Sequence, residues 1–425
     1  MENICDFKKC TGCSACFNIC PVKAIDMVLS APLGEIHPRI DQDKCIDCRQ
    51  CEKVCPVNHP VELRSPLRAI AMISKDKEDL MSSASGGASA VLSRRVIEQG
   101  GIVYGCVANS YKDIAHRRIT TLSELSEMKG SKYVQSDIND IYRQVRQDLH
   151  DGKSVLFTGT PCQNAGLKNF LRKDYPNLSL VDLCCHGVPS QEMLRKDCEY
   201  LLQHAAFKRG ENIRVTFREK GPYAEDKDKP FSVVYGTFLI NDEGRRIKIR
   251  RKRDAFLRDD YITAFMRGLI FRDSCYTCTY AGPRRCSDIT IADFWGLNRC
   301  SVPQANGVSL LLINTEKGMA LANDSLRDTL WEERPVSEAI NGNGQLIHPS
   351  AMPDDREQFL KEYSDNPRQA YRKHLRRYRH QYRAGLYSSA FARFLKRHRI
   401  IAAIDSRCPI LSMLVGKAIY EYSKR

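Results

Sequence analysis

The sequence predicts a mixed α/β protein in three parts: a small cysteine-rich N-terminal module, an α/β body with a β-rich insertion, and a helical basic tail. Three observations carry this: a cysteine spacing repeated within residues 1–58, an alternation of β-branched runs with amphipathic stretches from Arg68 onward, and a concentration of positive charge after residue 366. The divisions expected are 1–60, 61–350 and 351–425. At 425 residues the chain has material for about three domains of roughly 150 residues each. With 42% hydrophobic and 28% charged residues it is neither collagenous nor low in complexity. No run approaches the roughly 18 apolar residues of a membrane span, and Met1-Glu2-Asn3-Ile4-Cys5 lacks the charged-then-apolar order of a secretory signal, so a cytoplasmic protein is expected.

Nine of the 19 cysteines fall in the first 55 residues, and their spacing favours metal binding over crosslinking. Cys10-x2-Cys13-x2-Cys16-x3-Cys20-Pro21 recurs as Cys45-x2-Cys48-x2-Cys51-x3-Cys55-Pro56. A cubane iron-sulfur cluster needs four soft thiolates around a small volume, and two-residue gaps let three consecutive sulfurs of one loop wrap it. In two-cluster ferredoxins the Cys before Pro crosses to the other cluster. The expected sets are therefore Cys10, Cys13, Cys16 and Cys55, and Cys45, Cys48, Cys51 and Cys20. The first 60 residues thus resemble a bacterial dicluster ferredoxin. A pair of zinc knuckles is the competing reading, but zinc sites lack the third gap and the following Pro. Cys5 belongs to neither set and reads as an ordinary buried thiol.

In the body, Ala69–Ile73, Ile102–Val107, Ser154–Phe157 and Leu178–Leu183 read as strands, and Ala88–Gln99, Asp137–His150, Gln163–Lys173 and Ser190–His204 as helices. Between Asn212 and Arg251 the pattern turns to hairpins, with Asn241-Asp242-Glu243-Gly244 joining Ser232–Ile240 to Arg245–Arg250. Ser85-Gly86-Gly87-Ala88 opens a helix, where free N–H groups and the dipole favour a phosphate, although a tight turn or cap explains the same residues. No Gly-x-Gly-x-x-Gly follows a predicted strand, which disfavours an ordinary Rossmann site. Thr158-Gly159-Thr160-Pro161-Cys162-Gln163 and Asp182-Leu183-Cys184-Cys185-His186-Gly187 each follow a strand and should open at the carboxyl edge of one sheet. With Cys275-Tyr276-Thr277-Cys278, four thiols at Cys162, Cys185, Cys275 and Cys278 could hold a third cluster. A small zinc site or a dithiol beside two buried cysteines is the equal alternative.

The ordered strings Ser85–Ala90, Lys129-Gly130-Ser131-Lys132-Tyr133-Val134-Gln135-Ser136, Gly159–Gln163, Cys185-His186-Gly187-Val188-Pro189-Ser190, Cys275–Cys278 and Asp288–Gly296 resemble the coenzyme F420 hydrogenase/dehydrogenase beta-subunit family over about residues 5–315. The resemblance implies a flavoprotein, with FAD near Ser85–Ala90 and Lys129–Gln135 and a third 4Fe-4S cluster beside it. The candidate cofactor contacts are Ser85, Gly86, Gly87, Lys132, Tyr133 and Thr160. Two departures stand out: Cys184 precedes the motif Cys185 and competes for its role, and Ala292 stands where the family usually has Gly. His186 reads as a proton donor or as a loop-orienting residue, and Asp293 as a turn residue or a cofactor contact.

The function expected is an iron-sulfur flavoprotein oxidoreductase that passes single electrons between a carrier such as ferredoxin, or a redox partner subunit, and FAD, which exchanges hydride with an unidentified small molecule. The alternative is a non-catalytic subunit delivering electrons to a protein partner. The net charge of +15 resides mostly in residues 366–425, which carry 15 Lys/Arg against Asp405 and Glu421. A nearly neutral body argues against nucleic acid as a partner. Tyr371, Leu375, Tyr378, Tyr382 and Leu386 line one helical face of the tail. Such a basic helix suits peripheral contact with an anionic membrane, or docking on the body or an acidic carrier, and the short apolar stretch Ile410–Val415 fits either.

Overall fold

Val155–Gly159 and Ser309–Ile313 are buried along their whole length, the pattern of strands covered on both faces. They belong to the central sheet of a computed structural model that describes residues 3–203, 212–220, 233–246 and 259–397, with side chains described to residue 382. Within the described residues twelve strands follow one another: β1 Ile25–Ser30, β2 Glu35–Ile40, β3 Arg68–Ser74, β4 Ile102–Ser110, β5 Asp113–Ile119, β6 Val155–Gly159, β7 Leu178–Leu183, β8 Ile213–Lys220, β9 Val233–Asn241, β10 Ile289–Asp293, β11 Ser309–Ile313 and β12 Thr329–Arg334.

Eight of them form one mixed sheet in the order β12-β3-β11-β10-β7-β6-β4-β5. The inner run β4-β6-β7-β10 is parallel, so the carboxyl ends of these four strands share one edge. The flanks are antiparallel. Side chains alternate across the sheet as the pleat requires. Leu156 and Val181 face the helices Ala88–Glu98 and Glu316–Ser325. Val155, Phe157 and Leu180 face the helices Ile141–His150 and Pro161–Leu171. Cys13, Ala15 and Val54 of the N-terminal module join that second core, so the module is packed into the body rather than strung from it.

The four body strands and four helices expected from sequence are present within a few residues of their expected ends. The hairpin region differs. The turn after Asn241 is there, with the Gly244 amide donating to the Asn241 carbonyl at 2.9 Å and an Ile240–Arg246 bridge. The strand before it, however, pairs antiparallel with β8, from Ile213–Asn241 to Lys220–Val233. Residues 247–250, the rest of the expected return strand, lie outside the described residues.

The chain divides into two compact units, Met1–Pro353 and Asp354–Arg425. In the second, helix Pro367–Arg397 pairs with helix Arg356–Asp365. Tyr371 stacks 5.7 Å from Phe359 and 5.6 Å from Tyr363. The first part of the expected tail stripe is therefore used in this helix pair, and Leu375 is buried with it. Ile410–Val415 lies outside the described residues. Among the described residues no helix is long and apolar enough to cross a membrane.

Candidate functional site

The two cysteine repeats share a backbone device. Gly12 and Ser14 flank Cys13 with φ of 64° and 61°, and Asp47 and Arg49 flank Cys48 with φ of 52° each. These left-handed residues curl each loop so that successive cysteines turn inward. Cys10, Cys13, Cys16 and Cys55 line one pocket of about 340 Å³, together with Cys5, Ile4, Met27 and Val57. Cys20, Cys45, Cys48 and Cys51 line a second of about 330 Å³, with Ile25 and Ile40. One cysteine of each set thus comes from the other repeat, because hairpin β1–β2 folds the two loops back to back.

Burial pushes the Cys13 thiol up to about 12 and Cys51 up to about 11. Hydrogen bonding from Cys5 holds Cys10 well below its ordinary value and Cys55 down at about 7. Cys5, expected to be an ordinary buried thiol, is therefore part of the first pocket. Cys48 is exposed, which brings the second pocket to the surface, whereas Cys13 and Cys16 of the first are buried, Cys13 against Gly166 of the body. Among the described residues no three His, Cys, Asp or Glu side chains converge on a single-ion position; the thiols surround pockets.

In the body, Cys162 begins helix Pro161–Leu171, Cys185 follows β7, and Cys275 and Cys278 lie at and just after the short 3-10 turn Asp273–Cys275. The four thiols feel one another. Burial first, then the neighbouring Cys275, Cys162 and Cys278, pushes Cys185 well up. Burial and the other cysteines raise Cys162 to about 11 and Cys275 to about 12. Cys184 faces elsewhere, toward Arg285, Asp182 and Asp293, and packs with Phe294 and Leu310. Cys185 is thus the residue that joins the group. Cys13 is electrostatically coupled to Cys162, so the first module pocket adjoins the body thiols.

Of the flavin candidates, Thr160 alone touches one of these thiols. Ser85 Oγ donates to the Val308 carbonyl at 3.0 Å. Gly86 is demanded by packing, since a Cβ there would stand 2.2 Å from the Met72 carbonyl oxygen. Gly87 adopts a φ of 94°. Lys132 Nζ donates to the carbonyls of Met128 at 2.7 Å and Lys129 at 3.0 Å, closing the end of helix Leu122–Met128. Thr160 bonds Gln163 Oε1 at 3.0 Å and Cys162 Sγ at 3.2 Å. Tyr133 is ringed by Phe265, Phe217 and Tyr235, with centroids 4.7–6.2 Å away.

Sequence reasoning missed two cations that β8 carries over the carboxyl edge. Arg218 grips Asp293, at the end of β10, through two bonds of 2.6 and 3.0 Å. Lys220 Nζ donates to the Ser85 carbonyl at 3.0 Å and the Asn306 carbonyl at 2.6 Å, and burial pushes its pKa down to about 8. Their only sequence signal is a pair of basic residues two apart on a strand whose Val215 and Phe217 are buried. His186, beside Cys185, is held below its ordinary pKa by burial.

Residues 9–59 match the 4Fe-4S dicluster domain family, and residues 152–339 match the family described as the C terminus of the coenzyme F420 hydrogenase/dehydrogenase beta subunit. The second match covers 188 of the 425 residues, and residues 60–151 lie outside both. The family segment takes in Cys162, Cys185, Cys275 and Cys278 with Arg218, Lys220 and Asp293, while Ser85–Gly87 and Lys132 precede it. The first match marks an iron-sulfur segment, and the second is to a segment of hydrogenase and dehydrogenase subunits. A chain of the F420-reducing NiFe hydrogenase complex from Methanosarcina barkeri is similar at 18% identity and a TM-score of 0.40, over 74% of this chain and 93% of that one. No curated protein matches the chain.

Proposed function

We propose that this beta-subunit relative passes single electrons from a one-electron carrier through two module clusters and a body cluster to FAD, and so reduces or oxidises an organic small molecule. The observation that carries this reading is the succession of thiol groups: an exposed pocket at Cys48, a pocket with buried Cys13, and the body helix of Cys162 packed on Cys13 through Gly166. Bound clusters carry one electron each, and a flavin joins two such steps into a hydride exchange.

The donor sets fit the clusters. Cys10, Cys13, Cys16 and Cys55 would hold the inner one, Cys20, Cys45, Cys48 and Cys51 the outer one, and Cys162, Cys185, Cys275 and Cys278 the third; each set offers four soft thiols around a pocket or within one charge neighbourhood. For FAD, the fitting features are the cations Arg218 and Lys220, the aromatic face at Tyr133 and the buried Asn306 Oδ1, which has no hydrogen-bond partner within the protein. Lys220, seated between the Ser85 and Asn306 carbonyls beside Arg218, would supply charge to the flavin phosphates.

The test is the iron, sulfide and flavin content of anaerobically purified protein. About twelve irons and one FAD per chain support the reading. About eight irons without flavin reduce it to an electron-transfer subunit serving a protein partner.

A further inference from the structure

Arg272 heads the largest fully buried side chains, at 2% exposed, and among the described residues no carboxylate pairs with it. Its guanidinium is held instead by three oxygens and by His37, whose Nε2 also faces Glu35 Oε2 at 3.4 Å. Nε donates to the Cys10 carbonyl at 2.7 Å, Nη1 to Gln135 Oε1 at 3.1 Å, and Nη2 to the Ile36 carbonyl at 2.8 Å and to His37 Nε2 at 3.0 Å. Gln135 in turn donates to the Thr11 carbonyl at 3.0 Å. The approach is close enough to demand Gly12, whose Cβ would stand 2.9 Å from Nη1.

A buried cation with no carboxylate directly on it is costly, a cost that folds tolerate where a counter-charge arrives with a ligand. Arg272 touches both thiol loops at once: its guanidinium sits on the Cys10 carbonyl of the module, and its own carbonyl accepts from the Cys275 amide of the body at 2.9 Å. A cubane held by four thiolates is an anion and gains one more negative charge on reduction, so a fixed cation beside it favours the reduced state. We propose that Arg272 is the shared counter-charge of the inner module cluster and the body cluster, raising the midpoint potentials of both. It is a positioning residue for the electron step between them. With both clusters bound, the step would move one electron from a reduced inner cluster to an oxidised body cluster, with no bond made or broken and no proton moved.

This inference rests on the reading that clusters occupy both thiol groups. The experiment is a potentiometric EPR titration of wild-type protein, Arg272→Met and Arg272→Lys, with the outer cluster of Cys20, Cys45, Cys48 and Cys51 as internal control. Arg272→Met should shift the inner and body potentials negative and leave the outer one in place, and Arg272→Lys should restore most of the shift. If Arg272→Met loses iron, Gln135→Glu, which sets a carboxylate beside Nη1, should produce the same paired negative shift. If both lose iron, retention by Arg272→Lys supports the charge, and loss there as well overturns it. Unmoved potentials, movement of only one, or an equal shift of all three would also overturn it. Wild-type protein lacking the body cluster would refute the underlying reading itself, a result distinct from intact clusters with unmoved potentials.

Discussion

Gly166 shows how a single missing methyl fixes the join between module and body. In an ordinary helix interior Gly→Ala gains about 1 kcal/mol from propensity. Here the added Cβ would meet Cys13 Sγ at 2.9 Å and Tyr142 Oη at 3.2 Å. Overpacking of this kind costs about 1–3 kcal/mol and outweighs the gain. Gly166→Ala is therefore expected to lower both the denaturation midpoint and the iron content; an unchanged midpoint with full iron would show that the module shifts freely. His116 makes a second residue-scale case. It is 1% exposed, with Nε2 facing the Thr158 carbonyl at 3.0 Å and Nδ1 facing Ser136 Oγ at 3.0 Å, and burial pushes its pKa down to about 4. The unfolded chain takes up the proton near pH 6.5, so stability present above that pH is lost as pH falls toward 4, at about 1.4 kcal/mol per pH unit. Asp137, raised by burial to about 6, contributes the opposite slope below pH 6 in wild type and variant alike. Urea midpoints at pH 7.5, 6.5 and 5.5 should therefore fall more steeply for wild type than for His116→Gln, and parallel lines would contradict the assignment.

At the scale of elements, a buried ion pair, beside the Lys220 bonds to the Ser85 and Asn306 carbonyls, anchors the β8–β9 ribbon to the sheet edge. The Arg218 side chain is 4% exposed and its partner Asp293 17%. Removing the anion strands a buried cation, a loss of about 3–5 kcal/mol. Asp293→Asn should thus speed amide exchange in Ile213–Lys220 more than in β6 or β7 and lower the flavin content; uniform exchange would place the anchor elsewhere. This ribbon also marks where the sequence stops being legible. β3, β4, β6 and β7 are β-branched runs bounded by turn residues, and they are readable locally. The pairing of β8 with β9 spans residues 221–232 and has no local signature, which is why the turn after Asn241 suggests a different partner. Ser309–Ile313 is a short run, apolar from Leu310 to Ile313 and without alternation, and Asp113–Ile119 carries Arg117 and Arg118 at the sheet margin, so neither reads as a strand. The site divides in the same way. Cysteine repeats announce themselves by spacing, but Arg272, Arg218 and Lys220 are three cations among 66 Lys/Arg, and only tertiary contact distinguishes them.

For the whole molecule, the question is how iron is distributed over the chain. Deleting the module would answer it poorly, because Cys13, Ala15 and Val54 share a core with Tyr142, Phe157 and Phe170, and their removal exposes that core as well as removing thiols. Point substitutions separate the two effects. Cys13→Ala with Cys48→Ala takes one thiol from each module pocket while keeping small apolar side chains in place, and is expected to remove about two-thirds of the iron. The remaining third should depend on the body group. Adding Cys185→Ala should abolish it, whereas adding Cys184→Ala should not, because Cys184 faces Arg285 and Asp293 rather than the other cysteines. Iron per chain, read beside circular dichroism to confirm folding, decides the matter. Equal losses from the Cys184 and Cys185 variants would refute the body assignment, and unchanged iron in the double variant would refute the module assignment independently of it.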